Sequence, residues 1–65
     1  MDERMMRWFV YEHLPEHLQA VSEPFWQLAV QICAECEPGP ELTVALRKLL
    51  EAKDAAVRAK LHPGG

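Results

Sequence analysis

A chain of 65 residues makes one small domain at most, and it can hide only ~60 % of the surface its unfolded form exposes. Apolar residues make up 49 % of it and the net charge is −3, a balance that excludes long DNA or RNA, whose binding rests on neutralising phosphates. No run approaches the ~20 apolar residues of a membrane span, and residues 1–6 carry no signal-peptide core, so neither membrane insertion nor secretion is expected.

The first element is an arm, residues 1–14. Trp8, Phe9 and Tyr11 place three of the five aromatics within four positions, beside Arg7. Residues 7–12 alternate loosely and are rich in β-formers, so an extended arm is predicted. Pro15 suits the first turn of a helix, where its missing N–H costs nothing, and helix 1 is predicted over 15–37. Leu18, Val21, Phe25, Leu28 and Ile32 step by three or four and define one apolar face. Trp26, Val30 and Cys33 form a second row, and the apolar arc is too wide for one partner helix. Pro24 falls inside the pattern without a phase change, which predicts one kinked helix rather than two.

Cys33 and Cys36 form a lone C-A-E-C near the end of this helix. A redox pair belongs at a helix N-terminus, where the dipole favours thiolate; here the dipole has the opposite sign. A zinc site needs two more ligands, and His13, His17 and His62 offer no second pair at finger spacing. Reduced, packed thiols and no metal are therefore expected, in keeping with a cytosolic setting. His13 and His17 share a helix face at i,i+4 but read as surface residues.

Pro38, Gly39 and Pro40 predict a turn over 38–40, and helix 2 is predicted over 41–61. Its polar stripe holds Arg47, Glu51, Asp54 and Arg58, with Arg47–Glu51 and Asp54–Arg58 as i,i+4 ion pairs. Ala45, Ala52, Ala56 and Ala59 make a small-residue face that lets another helix approach; Leu42, Leu46, Leu50, Val57 and Leu61 make a bulky one. Lys53 and Lys60 interrupt this arc. The expected architecture is all-α: an antiparallel helical hairpin with a short extended arm, one domain over residues 1–65. Two helices leave apolar rows uncovered, so the hairpins are expected to assemble into a homo-oligomer.

No Lys or Arg lies between Glu12 and Glu41; the seven cations are Arg4 and Arg7 in the arm and Arg47, Lys48, Lys53, Arg58 and Lys60 in helix 2. A phosphate ligand would have to meet both regions, with the arm of one chain lying over helix 2 of another. Catalysis has no support: Ser22 and Thr43 have no evident base, and the glutamates are spread over exposed faces, so the chain reads as a non-enzyme without a cofactor.

The F-x-Y of Phe9 and Tyr11 before a Pro-initiated helix, then L-A-x-x-I, a Pro/Gly turn and the block TVALRKLLEAKDAAVRA at 43–59, resemble the phage anti-CBASS cyclic-nucleotide sponges and the related hairpin of anti-Thoeris sponges. The similarity covers roughly residues 9–59. It implies a hexameric hairpin, working in the cytoplasm of an infected bacterium, that sequesters cyclic oligonucleotide messengers of antiphage signalling without cleaving them. It places Tyr11 as the base-stacking tyrosine of the arm and Arg58 as the basic ligand contact late in helix 2. Some members use a lysine in the middle of the first helix; this chain has Glu23-Pro24-Phe25 there.

The candidate ligand residues are Tyr11, Arg7, Arg58, Arg47, Lys53 and Trp8. Each has a plainer reading beside it. Trp8, Phe9 and Tyr11 could all be packing, with Trp8 and Phe9 filling an oligomer interface. Arg47 and Arg58 could be a solvated face, and Lys53 could snorkel along apolar surface. The rival function is a small homo-oligomeric adaptor that binds a protein helix through its apolar faces.

Overall fold

The structure, a computed structural model, describes residues 4–64, the side chain of Arg4 excepted. The first three residues of the arm and Gly65 lie outside the described residues. A 3-10 helix over Arg4–Phe9 is followed by two α-helices, α1 (Glu16–Glu35) and α2 (Pro40–Leu61), joined by residues 36–39. The described residues contain no strand. The longest dimension, 37 Å, is close to the ~33 Å that a 22-residue helix spans, as a folded-back helix pair requires.

The arm is thus helical where an extended segment is expected. The cause is periodicity. In a 3-10 helix residues i and i+3 eclipse, so Met6 and Phe9 share one row. Both are buried, Phe9 completely, in a core completed by Ala29 of α1 and Leu42 and Leu46 of α2. The next row carries half-buried Met5 and exposed Trp8; Arg7 points to solvent. In an extended strand Met6 and Phe9 would face opposite sides, and one anchor would be lost. Phe9 therefore packs within its own chain, not between chains. Within the chain the arm lies against its own α2.

Pro15 sits one residue before α1, not inside it. Its carbonyl accepts from the N–H groups of Leu18 (2.9 Å) and Gln19 (3.0 Å), which opens the helix. Gln19 Nε2 donates back to the carbonyls of Leu14 (2.8 Å) and Glu12 (3.2 Å) and so ties down the loop from the arm. Helix α1 runs unbroken through Pro24. It ends at Glu35, two residues early. Cys36 is already extended (φ −115°, ψ 142°), and Pro38 bars the helical region to Glu37. Helix α2 begins with Pro40, its carbonyl-rich end carries Arg58 and Lys60, and Glu41 lies at its N-terminus, charges placed to suit the helix dipole.

The buried face of α1 centres on Ser22 and Ala29, flanked by Phe25, Trp26, Ile32 and Cys33, whereas Leu28 is 44 % exposed. Small residues let the two helices close in, so the contact line runs beside the bulky row, not along it. On α2 the line runs through Leu42, Leu46, Leu49, Lys53 and Val57, and Leu61 has left it. Ala45, Ala52 and Ala59 are exposed; of the small-residue face only Ala56 is half-buried. The expected Arg47–Glu51 and Asp54–Arg58 pairs are not formed. Among the described residues the ion pair is Lys48–Glu51, at 3.8 Å and largely solvated.

Candidate functional site

Lys53 occupies a core position of α2, with Leu49 and Leu46 one and two turns before it and Val57 one turn after. Its residue is 8 % exposed. A charge there needs a strong partner. It has one: Nζ donates to the backbone carbonyl of Trp8 at 2.6 Å. That carbonyl belongs to the last turn of the 3-10 helix, where carbonyls lack an intrahelical donor and the dipole end is negative. Lys53 thus caps the arm from across the fold and pins it to α2.

The same residue whose carbonyl accepts this bond presents its ring to solvent, with a cation against it. The Trp8 residue is 53 % exposed, and the Arg7 guanidinium carbon lies 5.0 Å from its ring centroid, within cation–π range. Arg7, Trp8 and Lys53 are therefore brought together, from an arm and a helix far apart in sequence.

Tyr11 lies just beyond, in the turn closed by the Leu14 N–H to Tyr11 carbonyl bond of 3.0 Å. It is half-buried. Its phenol is held above the ordinary value of 10.0, first by desolvation, then by the charge of Glu23 and a side-chain hydrogen bond to it, with Glu12 adding. The surroundings of Tyr11 are acidic: they suit a hydrogen-bond donor or a stacking ring and oppose a phosphate.

Arg47 and Arg58 do not join this group. Eleven residues apart, they share a solvent face ~16 Å apart along the helix, rotated well away from Lys53. Both are exposed. Arg58 lines an open groove of about 350 Å³ with Ala55, Ala59, His62 and Gly64 at the end of α2. His13 and His17 are exposed, and among the described residues no three His, Cys, Asp or Glu side chains converge as a metal site would need.

Two contributors escape a reading of the sequence. Gln19 holds the loop that carries Tyr11, but a glutamine in a first turn has no distinctive pattern. The cap made by Lys53 had a signal: the 42-46-49-53-57 spacing continues the core stripe through it, so an amine there must find an acceptor. Comparison with known protein families, with curated proteins and with solved structures finds no match.

Proposed function

We propose that the protein is a binding module for a small phosphorylated ligand with flat bases, a cyclic oligonucleotide messenger of bacterial antiphage signalling, which it sequesters without cleaving. The observation that carries this reading is the exposed Trp8 ring with Arg7 against it, anchored by Lys53. A base needs a π-face, which contributes ~1–3 kcal/mol on an aromatic side chain. A phosphate is well held by a guanidinium close by, through charge-assisted and bidentate hydrogen bonds. Tyr11 offers a second ring, and its acidic neighbours direct it to a base rather than to a phosphate. The resemblance of the 43–59 block to the phage sponges supports the same assignment, and with it a hexamer acting in the cytoplasm of the infected cell. Arg47 and Arg58, remote from Trp8 in one chain, would then serve only where a neighbouring chain brings them to its arm. Sequestration requires no nucleophile or general base.

The test is a thermal-stability screen against cyclic di- and trinucleotides. A ligand at about 100 times its Kd stabilises by ~2.7 kcal/mol if it binds the folded form alone. Trp8→Ala and Tyr11→Ala are each expected to weaken binding about ten- to a hundredfold, the worth of one stacked base. Added salt should weaken it further. The recovered ligand should be intact. No stabilisation by any member of the panel would overturn the proposal.

A specific observation favours a second reading. Leu28, Val44 and Leu61 are all more than 40 % exposed, on both helices, as expected of an adaptor that takes a partner helix. Such an adaptor would ignore cyclic nucleotides and lose its partner on Leu28→Glu.

A further inference from the structure

At the end of α1 two sulfur atoms meet, and a third lies close by in sequence. The Cys33 thiol donates to the thioether of Met6 with a sulfur–sulfur distance of 3.8 Å, although the two residues are 27 apart in sequence. Cys36 follows three residues later. As the cap residue of α1 its N–H still bonds the Ile32 carbonyl at 3.0 Å, which holds its backbone against the last turn although its own dihedrals are extended. Residues at that spacing are neighbours on a helix surface, with Cβ atoms ~5–6 Å apart. Both cysteines are thiols, not joined in a disulfide.

We propose that Met6, Cys33 and Cys36 form a binding site for a soft monovalent metal ion, copper(I). The spacing fits. Two sulfurs each ~2.3 Å from one ion, at an angle between tetrahedral and trigonal, stand ~3.8–4.0 Å apart, which Met6 and Cys33 already do. The donor set selects the ion: thiolate and thioether sulfur prefer copper(I), whereas closed zinc sites want four ligands, and no third His, Cys, Asp or Glu converges here among the described residues. The electrostatics also fit. The last turn of α1 carries no basic residue, Glu35 and Glu37 flank Cys36, and the helix dipole leaves partial negative charge at this end. A cation bound between sulfurs is favoured by that environment. Met6 is buried, Cys33 half-buried and Cys36 exposed, so the site has a packed floor and an open entrance. On binding, each thiol releases its proton to solvent as its copper–sulfur bond forms. The thioether contributes a lone pair, and the copper remains monovalent.

The experiment is an anaerobic titration of the full chain with copper(I) against a chromophoric copper(I) chelator, with silver(I) as a redox-silent second probe. One ion per chain and two protons released per ion are expected. The Cys33→Ser/Cys36→Ser variant should lose binding. Met6→Leu conserves volume and should keep the helical circular dichroism, yet weaken copper(I) at least tenfold. Wild-type affinity in Met6→Leu would overturn the three-sulfur site, even if the double serine variant fails to fold. Failure to compete with the chelator, or half an ion per chain, would overturn it too.

Discussion

Tyr11 shows how much a single side chain can report. It is the chain's one tyrosine, so its phenolate absorbance can be titrated without interference. Desolvation, then Glu23, then Glu12 hold its proton more tightly in the folded chain than in the unfolded one. Folding draws on that difference only while the phenol is protonated. The contribution is full below pH 10.0, the unfolded value, and is lost as the pH rises through the higher folded value. The expected titration midpoint lies above 10.0, and Glu23→Gln should bring it down; an unmoved midpoint would show that Glu23 does not face the ring. Ser22 makes a complementary case. It is fully buried, and its Oγ has no hydrogen-bond partner. An unpaired buried hydroxyl costs ~1–3 kcal/mol. Ser22→Ala removes it at little loss of volume, so denaturant unfolding should show unchanged or raised stability. A clear loss would mean that the hydroxyl finds a partner in solution.

Among the elements, the 3-10 arm decides whether the hairpin has a core at all. Without Phe9 and Met6, the fully or nearly buried apolar residues reduce to Ala29, Leu42 and Leu46. Phe→Ala in a core costs ~3–5 kcal/mol. A domain of this length has only ~3–10 kcal/mol in total, at ~0.05–0.15 kcal/mol per residue. Phe9→Ala is therefore expected to unfold a large fraction of the chain at room temperature, visible as lost helical circular dichroism. Lys53→Met keeps the apolar stem and removes the donor to the Trp8 carbonyl; loss of a charged hydrogen bond of ~1.5–3 kcal/mol should loosen the arm first, seen as faster quenching of Trp8 fluorescence than in wild type. Equal quenching would remove Lys53 from its capping role. The two α-helices were legible because the Pro/Gly turn and the 3.6-residue rows state them directly. The arm was not, because β-forming residues in a short segment say nothing of which three-residue row will meet a core. The contact line on α1 was hidden for a related reason: Ser22 and Ala29 carry no hydrophobic signal, yet being small is what places them where the helices touch. The grouping of Arg7, Trp8 and Lys53 depends on a bond across 45 positions, and pattern within one element cannot contain it.

At the scale of the whole molecule, the hairpin leaves several large apolar side chains on its surface. Trp8, Leu28, Val44 and Leu61 are exposed, and Ala45, Ala52 and Ala59 lie open on α2 at seven-residue spacing, with no bulky side chain to hold a second helix away. Single exposed apolar residues are ordinary; several on both helices of so small a chain make self-association the economical way to hide them. Association also bears on the proposed ligand. Arg47 and Arg58 lie on a face of α2 turned away from Lys53, so on the proposed reading a pocket using all the candidate cations draws on more than one copy. On the proposed function, wild type is expected to sediment as an oligomer, a hexamer, at micromolar concentration. Ala52→Glu puts a charge at the centre of the open alanine row. Glutamate is a good helix former at an exposed position, so the hairpin itself should survive. The variant should sediment as a smaller species with undiminished helical content, and it should bind cyclic nucleotide more weakly if neighbouring chains complete the pocket. A folded wild-type monomer would end the oligomer proposal. A monomeric variant with full affinity would confine the ligand to the Arg7–Trp8 surface of one chain.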